Sequence, residues 1–124
     1  MEGDNCEPKP KVAKVGYDAQ LADINVSFAG LHGDIALMRE IVSRFPECGR
    51  NNAYVCGCSA EGGNLDCLKL AIEIGGILSE DVIRRSSNDV CTIYAVQQRC
   101  PYEHYERKVK DAYQRNHDEI RSQM

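Results

Sequence analysis

The sequence predicts an all-α fold: a short array of stacked antiparallel helix pairs, closed by a long C-terminal helix. Three observations support this prediction. Apolar residues recur three and four positions apart between glycine and proline breaks, which is helical spacing and not strand alternation. One stretch of sequence is echoed thirty positions later, as is typical of helix-pair arrays. Residues 102–120 carry one uninterrupted helical pattern.

Length and composition fit one domain. A chain of 124 residues buries roughly two-thirds of its unfolded surface, so it can fold without disulfides. We expect residues 1–15 to form a flexible N-terminal tail, because prolines at positions 8 and 10 disfavour helix there. Residues 16–124 are then expected to form a single helical repeat-like domain.

The net charge indicates which classes of partner to expect, and the cysteine count indicates the cellular compartment. Fifteen basic against nineteen acidic residues give a net charge of −4, which argues against nucleic acid or an anionic membrane as partner. No apolar run approaches the roughly 18 residues that span a bilayer, and the N-terminal stretch lacks the apolar segment of a secretion signal. Seven cysteines, an odd number, then predict a cytoplasmic protein with reduced thiols, although the mature form of a secreted precursor remains open.

The first two helices are predicted from residues at 3-4-3 spacing. On the first helix one face carries Leu21, Ile24, Phe28 and Leu31. Asp34 can cap the second helix, which Pro46 and Gly49 end. The apolar residues of that second helix are Ile35, Met38, Val42 and Phe45.

The segment 50–60 is ambiguous. Residues 54–58 suit a strand, but Gly57 lies among them, so we predict a short, tightly packed helix and keep the strand as the alternative. Asn64 is expected to cap the following helix. The apolar face of that helix, which we expect to point into the core, carries Leu65, Leu68 and Ile72.

Three further helices are predicted. Ser79 can cap a short helix with Val82 and Ile83 as its apolar side, and Asn88 or Asp89 can cap the next. The last helix is supported by the pairs Glu103–Arg107, Glu106–Lys110 and Asp111–Arg115. Its tyrosine-rich face is interpreted as packing on the preceding helix, with self-association as the alternative; it comprises Tyr102, Tyr105, Val109, Ala112, Asn116 and Ile120.

The internal repeat follows from aligning Gly33 with Gly63, which also aligns Asp34 with Asn64. A shorter third unit begins at Asn88. Residues 59–71, Ser-Ala-Glu-Gly-Gly-Asn-Leu-Asp-Cys-Leu-Lys-Leu-Ala, resemble the Ala-x-x-Gly-His-Leu-Glu-Cys-Leu-Lys core of divergent ankyrin repeats. Residues 95–102 resemble the Ala-x-x-x-Gly-Cys-Pro-Trp end of the cysteine-containing variant of that repeat. The Thr-Pro-Leu-His opening and the Asp-Gly fingers of the family are absent, so a different helical bundle stays open.

The resemblance implies a protein–protein interaction module whose partners contact the turns and the first helix of each pair. The candidate partner-binding residues are Arg50, Asn51, Tyr54, Arg84 and Arg85. Since the array has no polar cap at its start, we expect the tail or a second subunit to cover that end, and predict a homodimer. A helical effector or inhibitor that blocks another protein is an alternative with the same sequence features.

No pattern indicates catalysis. His32 is interpreted as a turn residue, and His104 and His117 as solvated side chains, so neither an enzyme nor a cofactor is expected. A small zinc-stabilised or thiol-redox protein is the alternative, with Cys56-Gly-Cys58 joined by Cys48, Cys67 or His32. Because paired Cys-x-x-Cys motifs are missing, we favour buried free cysteines and expect no metal.

Overall fold

A computed structural model describes residues 15–124, so the tail expected at 1–15 lies, apart from Val15, outside the described residues. Within that part the chain is helical and contains no strand, which confirms the all-α prediction. The α-helices are α1 Val15–Leu31, α2 Ile35–Arg44, α3 Val55–Gly62, α4 Leu65–Glu73, α5 Glu80–Arg85, α6 Asp89–Gln97 and α7 Glu106–Ser122. A 3-10 helix, Glu103–Tyr105, precedes α7.

The helices are arranged in two rows. In the first row α1 contacts α3, α3 contacts α5, and the 3-10 helix extends the row beyond α5. In the second row α2 contacts α4, α4 contacts α6, and α7 packs on α6. Successive helices α1–α2, α3–α4 and α5–α6 are therefore stacked pairs, and the long C-terminal helix closes one end of the stack.

Three caps begin the second helices of the pairs. The side-chain oxygens of Asp34, Asn64 and Asn88 each accept the backbone N–H three residues later, at 2.9–3.1 Å. These predicted caps are confirmed. Gly33 and Gly63, which precede the first two caps, have positive φ of 68° and 74° and so end the first helices in the left-handed conformation.

The ambiguous segment is helical from Val55 onward, which confirms the short-helix interpretation. Asn52 starts it, because its side-chain oxygen accepts the N–H groups of Tyr54 at 2.7 Å and Val55 at 3.0 Å. Ser79 occupies the N-cap position of α5, but its side chain makes no capping hydrogen bond there. The acids Glu80 and Asp81 lie in the first turn of α5, where their negative charges stabilise the helix by interacting with the positive end of its dipole.

The core lies between the rows and is closely packed. Its largest enclosed side chains include Met38, Leu68 and Ile83, while many of the remaining core positions hold alanine, valine or cysteine. Small residues let the helices approach each other. A methyl group added at Gly30 of α1 would collide with the hydroxyl of Ser59 on α3.

Helix α1 turns a different face inward from the one marked by its largest side chains. From residue 20 onward its buried apolar side chains are Ala22, Val26 and Ala29. Leu21, Ile24 and Phe28 are exposed, with relative accessibilities of 36%, 63% and 57%. Because α1 crosses α3 at close range, it buries the side that carries small residues and leaves the bulky apolar side uncovered.

Helix α7 is anchored by charges. Arg115 donates from two nitrogens to the Asp89 carboxylate at 2.7 and 2.9 Å, instead of pairing with Asp111 as the spacing predicts. The predicted pair Asp111–Arg115 is therefore wrong. Arg115 pairs with Asp89 because both carboxylate oxygens there accept a hydrogen bond from the guanidinium, which is stronger than a single contact. Lys108 donates its ammonium to the carbonyls of Arg84 and Ser86 at 3.0 and 2.8 Å, which caps the C-terminal end of α5.

Candidate partner-binding surface

A shallow groove lies between α1 and the turn that precedes α3. Its volume is about 390 Å³, and it is lined by Asp23, Ile24, Ser27, Asn52 and Tyr54. Tyr54 is 66% exposed, so with Ile24 it offers two large apolar side chains to solvent on either side of the groove. Exposed apolar side chains around a concavity are typical of sites where partners bind.

Two polar side chains hold the groove in shape. The carboxylate of Asp23 accepts the backbone N–H of Gly49 at 2.7 Å, which ties α1 to the turn that begins there. Asn52 is fixed by its capping bonds to the first N–H groups of α3. The groove is therefore formed by α1 and a firmly hydrogen-bonded turn, and it is present without a partner.

Ser27 places an unpaired hydroxyl in this groove. Its residue is 8% exposed, and its Oγ has no hydrogen-bond partner among the described residues. Buried polar atoms in folded proteins are nearly always paired, because an unpaired one costs about 1–3 kcal/mol. The hydroxyl therefore lies buried in the wall of the groove with its hydrogen-bonding capacity unused.

Three of the candidate residues from the sequence lie on the turn before α3. Tyr54 lines the groove. Arg50 is exposed and pairs with Glu47 at 2.7 Å. Asn51 has a left-handed backbone, φ 59°, and donates its N–H to the carbonyl of Gly75 at 2.9 Å, so it shapes the turn. The structure thus places Tyr54 in the groove, with Arg50 and Asn51 beside it on the chain.

The other two candidates lie on α5. Arg85 bridges α5 to α3 through a 2.7 Å hydrogen bond to Glu61 and lies 3.6 Å from Asp81. Its side chain is mostly covered, so it holds the first row of helices together. Arg84 is more exposed and pairs with Asp81 on its own helix at 2.8 Å. Both arginines form ion pairs with carboxylates, so their positive charges are balanced and this part of the first row is not a basic surface.

The far end of the first row carries a histidine–carboxylate pair. Glu80 accepts the backbone N–H of His104 at 2.9 Å, and one of its oxygens lies 2.7 Å from the ring Nδ1. The hydrogen bond between the side chains raises the pKa of His104 and lowers the pKa of Glu80. The pair joins the start of α5 to the 3-10 helix.

A larger groove of about 820 Å³ runs along α7. It contains none of the five partner-binding candidates from the sequence, and it is lined by Tyr102, Glu106, Val109, Lys110, Tyr113, Gln114 and His117. Its walls carry one acid, Glu106, and one base, Lys110, beside polar side chains, as on an ordinary solvated helix. The smaller groove on α1 is the stronger candidate because it combines exposed apolar side chains with an unpaired buried hydroxyl.

The cysteines do not converge on a site. The six cysteines within residues 15–124 are free, and Cys58 is the one among them that is partly exposed. Burial raises the pKa of Cys56 to about 12 and that of Cys91 to about 11, so both thiols stay protonated near neutral pH. Zinc needs thiolates. Within the described residues no three His, Cys, Asp or Glu side chains lie close enough together to hold a metal ion.

No family model, curated protein or solved structure matches the chain. In the described part of the chain no helix is both long enough and apolar enough to cross a bilayer.

Four residues of the groove were not among the partner-binding candidates from the sequence: Asp23, Ile24, Ser27 and Asn52. Asn52 had a signal, since asparagine is favoured at helix starts, where its side-chain oxygen accepts backbone N–H groups two or three residues later. Ile24 had a weaker one, because α1 carries apolar residues on two sides. The unpaired hydroxyl of Ser27 depends on tertiary packing and has no signal in the sequence.

Proposed function

We propose that the protein is a protein-interaction module that binds a partner through the turns and first helices of its stacked pairs. The observation that carries the proposal is the groove on α1, where Ile24 and Tyr54 flank the unpaired hydroxyl of Ser27. The two rows of helices support an ankyrin-like stack, in which the turns and first helices form the binding surface. The protonated buried thiols suit a reducing, cytoplasmic setting.

The groove favours a particular chemistry in its partner. An apolar side chain of the partner would pack between Ile24 and Tyr54, and a neighbouring polar group would hydrogen-bond the hydroxyl of Ser27. The carboxylate of Asp23 adds negative charge to one wall, which favours a donor or a positively charged group. The partner is then a protein segment with an apolar residue next to a basic or amide one.

Photo-crosslinking tests this proposal in the cell that makes the protein. A photoreactive phenylalanine replaces Tyr54 in the full chain, and a matched control carries it at Tyr113, which is 40% exposed on α7. We expect one or a few proteins to crosslink from position 54 and not from position 113. Equal capture at both positions would contradict the proposal.

Purified partner then provides the quantitative test. Tyr54→Ala and Ser27→Ala are compared with Tyr113→Ala by titration calorimetry. Loss of an anchoring aromatic side chain is expected to weaken binding about tenfold or more, and loss of the hydroxyl less. Binding that is weakened equally by Tyr113→Ala, or by neither groove variant, would place the interface elsewhere.

A further inference from the structure

The outer face of α1, formed by Leu21, Ile24 and Phe28, shares Ile24 with the proposed partner groove and is otherwise not used by the proposed function. These side chains lie opposite the buried residues Ala22, Val26 and Ala29. The ring of Phe28 contacts that of His32 edge-on, with 4.3 Å between centroids, and Phe28 remains 57% exposed. A helix that is apolar on two sides is typical of one packed between two layers.

Over residues 20–32, where side-chain exposure is described, the outer face of α1 carries no formal charge. The exposed residues between positions 20 and 32 are Gln20, Leu21, Ile24, Asn25, Phe28 and His32, and none is Asp, Glu, Lys or Arg. The opposite end of the stack differs, because α7 exposes Glu106, Arg107 and Lys110 among its first residues. Helix arrays need a polar surface at each end to stay soluble, and here α7 provides a charged one while residues 20–32 of α1 do not.

Charge and composition decide between the surfaces of this chain that could cover the outer face of α1. Residues 1–14 contain three lysines and three acids, and their large apolar side chains are limited to Met1 and Val12. They match three bulky apolar side chains poorly. The charged surface of α7 matches an uncharged face no better. A second copy of the same face is apolar, uncharged and free of repulsion.

We propose that two copies of the chain associate through the outer face of α1, about a twofold axis. Such a contact uses the same patch on both copies and closes at the dimer, whereas contact between opposite ends of the stack would produce open filaments. One helix on one helix is a smaller contact than the roughly 800 Å² per partner of a standard interface. The dimer is therefore weak, with dissociation in the micromolar range.

The dimer surface and the partner groove are separable. Ile24 lies at the border of both, whereas Phe28 belongs to the outer face and Tyr54 to the groove. Tyr54→Ala should leave dimerisation unchanged, and Phe28→Glu should leave Tyr54 free to crosslink. Failure of one proposal is then distinguishable from failure of the other.

Sedimentation velocity of the full chain under reducing conditions tests the dimer. From low- to high-micromolar concentration, the average mass should rise from 13.8 kDa toward twice that value. Phe28→Glu should weaken association about tenfold or more, because each copy would bury a carboxylate. Ile120→Glu is the matched control, since Ile120 is 53% exposed on α7, and it should dimerise like the parent chain.

A milder pair of variants keeps the test open if Phe28→Glu folds poorly. Asn25→Glu adds a charge to the outer face without removing an apolar side chain, and Gln114→Glu adds the same charge to α7. Only Asn25→Glu should lower association. A parent chain that stays monomeric at all concentrations, or a dimer that persists in both α1 variants, would overturn the proposal. A monomeric parent destabilised by Phe28→Glu but not by Ile120→Glu would overturn it in favour of a segment of the same chain.

Discussion

The side-chain amide of Asn64 joins two helix pairs, since its Nδ2 donates to the carbonyl of Gly33 at 3.3 Å while its Oδ1 caps α4. Asn88 repeats the arrangement one pair later, donating to Gly63 at 2.8 Å and capping α6. Both positions need a donor and an acceptor on one short side chain, which asparagine provides. The first pair has aspartate at this place, and the side chain of Asp34 caps α2.

Exchanging amide for carboxylate separates the two roles. Asn64→Asp keeps the cap but loses the donor to Gly33 and places two oxygens close together. We expect it to lower the free energy of unfolding by about 1 kcal/mol, the worth of one net hydrogen bond. Urea unfolding of the parent chain and the variant measures this difference in the free energy of unfolding. Asp34→Asn, which keeps an acceptor, is the control and should be nearly neutral; a similar loss in both variants would count against the bridging role.

The crossing of α1 and α3 provides a second prediction. Gly30→Ala places a methyl group against the hydroxyl of Ser59, so we expect a loss of about 1–3 kcal/mol, as for other overpacked cores. Ser59→Ala should be neutral or stabilising, because the Ser59 hydroxyl is buried without a partner among the described residues.

Thermal unfolding of Gly30→Ala, Ser59→Ala and the double variant completes a double-mutant cycle. In the double variant the collision with the hydroxyl is gone, so the loss from Gly30→Ala should shrink by about 1 kcal/mol or more. Strict additivity of the two single changes would show that the Ser59 hydroxyl does not set the distance between α1 and α3.

The sequence predicts well what is decided locally. The caps at Asp34, Asn64 and Asn88 follow from a polar side chain just before an apolar helical pattern, and the structure places them there. The burial of α1 is decided by its fit to α3, so the face with the largest apolar side chains was not the one buried. Arg115 likewise selects Asp89 on another helix over a neighbour on its own. These choices depend on distances that spacing along the chain does not contain.

The His104–Glu80 pair predicts a pH dependence. The pKa of His104 is raised above its ordinary 6.5, so its stabilisation is present below that value and is lost as pH rises through the folded-state pKa. The pKa of Glu80 is lowered below its ordinary 4.5, so its stabilisation is present above that value and is lost as pH falls through the folded-state pKa. The pair therefore stabilises most between these two ordinary values.

Comparing the parent chain with His104→Gln checks this window. The variant should be less stable than the parent at about pH 5.5, and the difference should fade by about pH 8.5 as the imidazole loses its proton. His117→Gln, a change at an exposed histidine of α7, is the control for the loss of a histidine charge. A His104→Gln deficit that is the same at both pH values would show that the ion pair is not its source.

Thiol reactivity is the last prediction, and it also separates an interaction module from a redox or zinc protein. Cys58 is partly exposed, while the other described cysteines are buried and burial raises the pKa of both Cys56 and Cys100, to about 12 and about 11. A buried, protonated thiol reacts slowly, because the thiolate is the nucleophile.

In a Cys6→Ser background we expect one thiol to react rapidly with Ellman's reagent in the native protein, and all six to react in concentrated guanidinium chloride. Loss of the rapid phase in Cys58→Ser assigns it. Several rapidly reacting thiols, or zinc released on denaturation, would instead support the zinc-stabilised or thiol-redox alternative.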